Sequence, residues 1–249
     1  MLKVSVITVC FNSKDTIRET VESVISQDYG DLEYIVVDGS STDGTIDILN
    51  KYRGKIAVLI SEKDNGLYDA INKGILSATG EIIAILHADD LYTSPGVISK
   101  VVSAFEKEGT DTVYGDLQYV DRQDLSIVKR NWTSGEFNKE NFRRGWMPPH
   151  PSFFARRKCY MQYGAFNTSL KSAADYELML RFLYRHNCTA AYLPEVLVKM
   201  RVGGKSNQSI MNRIRANRED KRAWELNGLT PGMFTFIRKP LSKIGQFFK

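Results

Sequence analysis

Two carboxylates stand side by side in His87-Ala88-Asp89-Asp90, directly after the apolar run Glu81–Leu86. Adjacent carboxylates repel each other, and their hard oxygens favour a divalent cation such as Mg²⁺ or Mn²⁺. The run before them is short, apolar and bounded by turn signals, which predicts a buried strand of a parallel sheet. The acidic turn then falls at the carboxyl edge of that sheet, where open α/β folds bind their ligands. Taken alone, the tetrapeptide fits equally well a solvated loop in which Asp90 caps the next helix. A third carboxylate, Asp38, ends the β-rich run Glu33–Val37, where it can accept hydrogen bonds from a ribose or a base. Ser40, Ser41, Thr42 and Asp43 after it read as caps for a helix over 46–52.

The elements that must position these groups follow from the hydrophobic pattern. Strands are expected over Lys3–Val9, Glu33–Val37, Ala57–Ser61 and Glu81–Leu86. Helices are expected over Asp15–Ile25, 46–52, the segment carrying Leu67, Ile71, Ile75 and Ala78 inward, and a stretch opened by Ser94-Pro95 that buries Val97, Ile98, Val101, Val102 and Phe105. Strand and helix alternating at this spacing predict an α/β fold with a doubly wound, mostly parallel sheet over the first 110 residues. The pattern then changes. Thr112–Val120 and Leu125–Asn131 read as an antiparallel pair, 142–150 as irregular, Ser152–Ala155 as a short buried strand and Leu193–Arg201 as a final strand. A helix starting near Asp175 carries Leu178, Phe182 and Leu183 inward, and 207–227 reads as a polar, basic helix followed by a linker over 228–232.

The 249 residues suffice for one large domain or one domain with an appendage, and no apolar run reaches the roughly 18 residues that a membrane span needs. Cys10, Cys159 and Cys188 are far apart and in no metal-ligand spacing, as expected of core thiols in a reducing cytosol. Met1 leads straight into the first strand with no leader-type segment, so a cytoplasmic protein is expected. The net charge of +5 is uneven: residues 205–249 carry ten Lys or Arg against three Asp or Glu, a balance of +7 that leaves −2 for the body. A basic tail of this kind suits an anionic partner, membrane surface or nucleic acid.

Four motifs now stand in order on the alternating elements: Val6-Ile7-Thr8-Val9 with Phe11-Asn12, Val36-Val37-Asp38-Gly39-Ser40-Ser41-Thr42-Asp43-Gly44-Thr45, Asp64-Asn65-Gly66-Leu67-Tyr68-Asp69-Ala70-Ile71-Asn72-Lys73-Gly74, and Ala88-Asp89-Asp90. In these the chain resembles the family 2 glycosyltransferases of the GT-A fold, which use nucleotide sugars. The resemblance covers about residues 1–205, divided into a nucleotide-sugar-binding half (1–110) and an acceptor half (111–205), with 206–249 outside it as a basic helical extension. It implies that Asp38 reads the nucleoside, that Thr8, Val9 and Phe11 form the base and ribose edge, and that Asp64, Asn65 and Asp69 lie in the segment closing over the nucleotide. Asp89 resembles the metal-binding second carboxylate of the family's Asp-x-Asp motif, with Ala88 beside it and Asp90 binding directly or from behind. Here the sequence departs from the pattern, because His87 occupies the first acidic position; its imidazole can ligate Mn²⁺ or hydrogen-bond a ribose.

Asp175 matches the family's acidic position before an apolar helix, which implies inversion by direct displacement with Asp175 as the single base; its bland reading is an N-cap, and Glu177 is the reserve. His150 lies where related enzymes place groups near the diphosphate or acceptor. Arg156, Arg157 and Arg181 have the reach to contact a phosphate but read first as surface cations, and Trp146 reads as an acceptor platform or a core aromatic. The expected cofactor is a divalent metal, Mn²⁺ or Mg²⁺. The expected partners are a nucleotide-sugar donor, UDP-linked by default, and a saccharide or lipid-linked saccharide acceptor. Residues 233–249 mix apolar side chains with four cations and read as an interfacial amphipathic segment or a helix docked on the domain itself. In the first case the protein sits at the inner face of the plasma membrane. A rival from another class is a degenerate nucleotide-binding module acting as a scaffold, its catalysis lost with His87. No nucleic-acid partner is expected, since the basic helix lacks interleaved aromatics and the body is acidic. Nucleotidyl transfer would need a Gly-rich basic loop where Cys10-Phe11-Asn12-Ser13 stands.

Overall fold

A computed structural model of the chain describes residues 1–203, 210–232 and 235, with 210–217 described as backbone only. Strands β1 (Val4–Cys10), β2 (Leu32–Asp38), β3 (Val58–Ser61) and β4 (Ile82–Ile85) form a parallel set in the order β3-β2-β1-β4. Alternation along β1 decides which layer each residue feeds. Ile7 and Val9 join α3 (Leu67–Ser77) on one face, while Val4, Val6 and Cys10 join α1 (Ile17–Ile25), α2 (Thr45–Asn50) and α4 (Val97–Glu108) on the other. Helices on both faces are what a parallel sheet requires, and the α/β class read from the sequence holds.

Beyond β4 the sheet becomes mixed. β8 (Phe153–Arg156) runs antiparallel to β4 and to β6 (Thr112–Val120). β6 pairs in parallel with β9 (Ala190–Arg201), and β9 carries β5 (Asp90–Tyr92) antiparallel at its far edge. β7 (Val128–Trp132) pairs antiparallel with β6 off this path. Two helices accompany these strands, α5 (Arg157–Tyr163) and α6 (Ala174–Met179), the latter continuing as a π-helical segment over Leu180–Arg185.

Helix α7 (Ile210–Leu226) packs on α6: Trp224 is fully enclosed, and its indole N–H donates to the Tyr176 hydroxyl at 2.9 Å. The expected linker over 228–232 is anchored in part, since Leu229 N–H donates to the Trp224 carbonyl, and just beyond it Thr235 Oγ1 donates to the Arg143 carbonyl. The amphipathic segment expected over 233–249 lies outside the described residues apart from Thr235. Among the described residues no helix is long and apolar enough to cross a membrane.

Several local expectations are corrected. Asp90 does not cap a helix; it opens β5, and α4 starts only at Val97 behind Gly96, with no side-chain cap from Ser94. Of the row expected to face inward, Ile71, Ile75 and Ala78 are buried but Leu67 is 48% exposed, and Tyr68 takes the inward place in the first turn of α3. Ser41 and Thr42 do not cap α2, which starts behind Gly44; they bond to the β1 turn instead.

Candidate active site

At the carboxyl ends of β1 and β2 two turns are stitched together. Asn12 N–H donates to Ser41 Oγ and Thr42 N–H to Asn12 Oδ1, while Ser13 N–H reaches Thr45 Oγ1 and Lys14 N–H reaches Asp43 Oδ2, all within 2.8–3.0 Å. Asn12 and Ser40 take left-handed backbone (φ +50° and +61°), a local cost held by this cross-bonding. Asp38 sits beneath, fully enclosed. Its Oδ2 accepts from Ser41 N–H (3.0 Å) and Ser61 Oγ (2.8 Å), and its Oδ1 meets the Cys10 thiol at 3.5 Å. Burial first, then this carboxylate, keeps that thiol protonated.

A Cβ on Gly39 would lie 2.5 Å from Asp64 Oδ2 and 3.4 Å from the Phe11 ring, so the absence of a side chain at Gly39 lets the Asp64 carboxylate come this close to the turn. Phe11 is half exposed. Thr8 and Val9, expected at the base edge, have enclosed side chains; Thr8 Oγ1 accepts from the Tyr34 hydroxyl and Val9 belongs to the core. Asp64 Oδ1 accepts from Gly66 N–H. Asp69 Oδ2 accepts from Asn65 N–H and lies 3.7 Å from Lys73, so both acids brace the entry to α3.

The second cluster lies past the end of β4. Ala88 is packed in the core, and Asp90 is fully enclosed with neither carboxylate oxygen hydrogen-bonded. Burial, reinforced by Asp89 and opposed by Arg201, holds the Asp90 carboxyl well above the usual carboxylate range. Asp89, by contrast, is only partly buried, and no hydrogen bond to its carboxylate is present among the described residues. Its backbone is fixed from far away: Arg201 Nη1 donates to the Asp89 carbonyl at 2.9 Å and Nε to that of Arg122 at 3.2 Å, while Nη2 pairs with Glu19. The side chain of Arg201 is 2% exposed.

His87 and His150 face each other with ring centroids 5.4 Å apart. His150 Nδ1 lies 3.3 Å from Asp175 Oδ2, and the Tyr68 hydroxyl donates to Asp175 Oδ1 at 3.4 Å. Burial, then the neighbouring His150, pushes His87 down to about 3 against the pull of Asp175. Burial also lowers His150, against Asp175 and Asp89. Both imidazoles are therefore neutral near pH 7. Asp175 is not an N-cap, since it lies inside the first turn of α6 behind Ala173.

The reserve acid and two of the three cations, Arg156 and Arg181, are engaged elsewhere, while Arg157 is partly buried rather than a surface cation. Glu177 is buried against Arg181 and accepts from Asn227. Arg181 is no surface cation: it also donates to the carbonyls of Tyr163, Gly164 and Ala165. Arg156 donates to the Thr110 carbonyl and lies over Phe105. Trp146 is packed among Tyr114, Phe137 and Phe142, with its N–H on the Ser134 carbonyl. Tyr68 and Arg201 were missed. Tyr68 shares the inward row of α3, a signal present in the periodicity; Arg201 is 112 residues from the Asp89 it holds, and nothing local marks it.

The residues fit a divalent metal. Among the described residues no three His, Cys, Asp or Glu side chains converge as a cage. A metal shared with substrate phosphates needs only one or two protein carboxylates, and Asp89 has its oxygens available for one.

The Glycosyl transferase family 2 pattern matches residues 5–164. An uncharacterized glycosyltransferase of Mycobacterium tuberculosis is 33% identical over 180 residues, spanning 72% of this chain and 68% of the relative. A Mycobacterium bovis protein named PGL/p-HBAD biosynthesis glycosyltransferase is 29% identical over 210 residues, 82% of this chain and 78% of its own. The fold is that of Staphylococcus aureus TarS, solved with UDP-GlcNAc (TM-score 0.71, 20% identity, 91% of this chain); this chain spans 65% of that one's length. It is also that of a mannosyltransferase from Pyrobaculum calidifontis, solved with GDP-Man and Mn²⁺ (TM-score 0.67, 21% identity, 96% of this chain and 68% of that one). The chain belongs to glycosyl transferase family 2, and it is a glycosyltransferase of the GT-A fold.

Proposed function

We propose that this enzyme moves one sugar from a nucleotide-sugar donor to a saccharide acceptor by direct displacement, with inversion at the anomeric carbon and Asp175 as base. The observation that carries this reading is the meeting of Asp175, His150 and His87 beside the Asp89 turn, at the edge where the parallel strands end. As the acceptor oxygen bonds to the anomeric carbon, the bond from that carbon to the diphosphate oxygen breaks, and the acceptor proton passes to the Asp175 carboxylate. A single such step inverts the centre and leaves no sugar on the protein. Asp89 is the carboxylate that would hold a divalent metal, Mn²⁺ or Mg²⁺. Such a metal, when bound, neutralises the departing diphosphate.

The exposed Phe11 ring, with Asp64 beside it, offers the nucleoside edge, and enclosed Asp38 holds the turn between them. UDP is the default nucleotide. The neighbours solved with UDP-GlcNAc and with GDP-Man support a nucleotide-sugar donor and leave UDP and GDP as outcomes of the test. We assign the acceptor to the lipid-linked saccharides and residues 233–249 to an anionic membrane surface, on the charge and apolar pattern of that segment.

The test is thermal stabilisation by a panel of nucleotides and nucleotide sugars, with and without Mn²⁺. A ligand at a hundred times its dissociation constant adds about 2.7 kcal/mol. Stabilisation by one nucleotide, and only with Mn²⁺, is expected; stabilisation by a nucleotide without any turnover would favour the scaffold reading instead.

A further inference from the structure

We propose that His150 is the positioning residue of Asp175, so that the base of this enzyme is a carboxylate held by an imidazole. The inference rests on the reading of Asp175 as base. Nothing local fixes that side chain: α6 starts behind Ala173 with no side-chain capping bond, and Asp175 is 19% exposed. Its two oxygens are instead met by groups from remote parts of the chain, Tyr68 Oη on Oδ1 at 3.4 Å and His150 Nδ1 on Oδ2 at 3.3 Å.

Both groups are themselves stiffly mounted. Tyr68 is buried and stacked on Phe166, with ring centroids 5.6 Å apart. His150 stands in Pro148-Pro149-His150-Pro151, where three prolines restrict the backbone on both sides. The 3-10 turn His150–Ser152 is pinned by the Ser152 hydroxyl on the Gly115 carbonyl (2.9 Å), and His87 closes off one side of the imidazole.

A neutral imidazole carries one N–H. Placed on Nδ1, it holds Oδ2 by one lone pair and leaves the other for the acceptor hydroxyl. Without it the carboxylate can swing about the single Tyr68 contact. Misplacement by about 1 Å can cost about 10²-fold in rate.

The test separates the two nitrogens. In His150→Asn the amide N–H falls near the place of Nδ1, and in His150→Gln near that of Nε2. We expect His150→Ala to lower kcat about 10²-fold with donor KM and Tm close to wild type. His150→Asn should recover most of that loss and His150→Gln little of it. Better recovery with Gln, or a loss that appears in donor KM, would overturn the inference and assign His150 to a ligand contact through Nε2. Wild-type kcat in His150→Ala would overturn it outright. If the Ala variant fails to fold, the Asn and Gln pair carries the same comparison. Asp175→Asn keeps the two readings apart: turnover there removes Asp175 as base, whereas a dead Asp175→Asn beside a fully active His150→Gln removes only the role of His150.

Discussion

Asp38 and Asp175 both belong to the proposed site, one from the parallel strands and one from α6, and they are built in opposite ways. Asp38 is fully enclosed, with a backbone N–H, a serine hydroxyl and a thiol on its oxygens, and its nearest partner is three residues away. Asp175 is partly open, and the groups on its oxygens arrive from Tyr68 and His150 at longer range. Asp38 is thus spent on holding the turn after β2 to the end of β3. Asp175, by contrast, is left underfilled, its side chain 19% exposed. A saturated buried carboxylate is architecture, and an underfilled one at the sheet edge is available for chemistry.

The largest expected effect falls on the open carboxylate. Asp175→Asn should lower turnover by about 10²–10⁴-fold while donor binding and Tm stay near wild type. Turnover at the wild-type rate would collapse the contrast. Next comes the strut between the halves. Arg201→Met strips the carbonyls of Asp89 and Arg122 of a charged donor and should cost roughly 3 kcal/mol, read as a fall in Tm together with weaker metal-dependent donor binding. A Tm loss with unaltered donor binding would show that the Asp89 turn needs no strut.

Asp38→Asn should do the reverse of Asp175→Asn. Whichever way the amide is turned, one buried group loses its acceptor, at a cost of about 2 kcal/mol in Tm. An Asp38→Asn protein with native Tm would make Asp38 a ligand group after all, and the donor half would no longer differ in kind.

The smallest effect sharpens the comparison from the opposite, amino end of the strands. Burial alone would raise the Glu33 carboxyl, but hydrogen bonds from Ser5, Thr79 and Lys3 outweigh it and lower the group from its ordinary 4.5 to about 2. A depressed folded-state value contributes stability that is present above about pH 4.5 and is lost as pH falls towards 2. Acid titration of Tm should therefore be shallower in Glu33→Gln over that window, and parallel curves would remove Glu33 from the acid limb.

Much of the donor half was legible because its information is local. Period-2 and period-3.6 patterns placed β1 to β4 and their helices within a few residues, and strand-end position marked Asp38 and Asp89. Where the reading slips, it does so at single residues: the pattern places Leu67 inward where Tyr68 stands, and Asp90, which reads as a ligand group with a helix cap as the alternative, is the first residue of a strand. Pairing with β9 makes that strand, and β9 lies more than a hundred residues along the chain.

The sequence by itself determined the layer order, the acidic edge and the family to which the chain belongs. Tertiary structure alone decided which carboxylates were filled and which left open. The groups that meet the Asp175 oxygens, the strut on Asp89 and the enclosure of Asp90 all depend on side chains brought together across long loops. Propensity and periodicity report on neighbours along the chain, whereas burial and hydrogen-bond satisfaction are properties of neighbours in space.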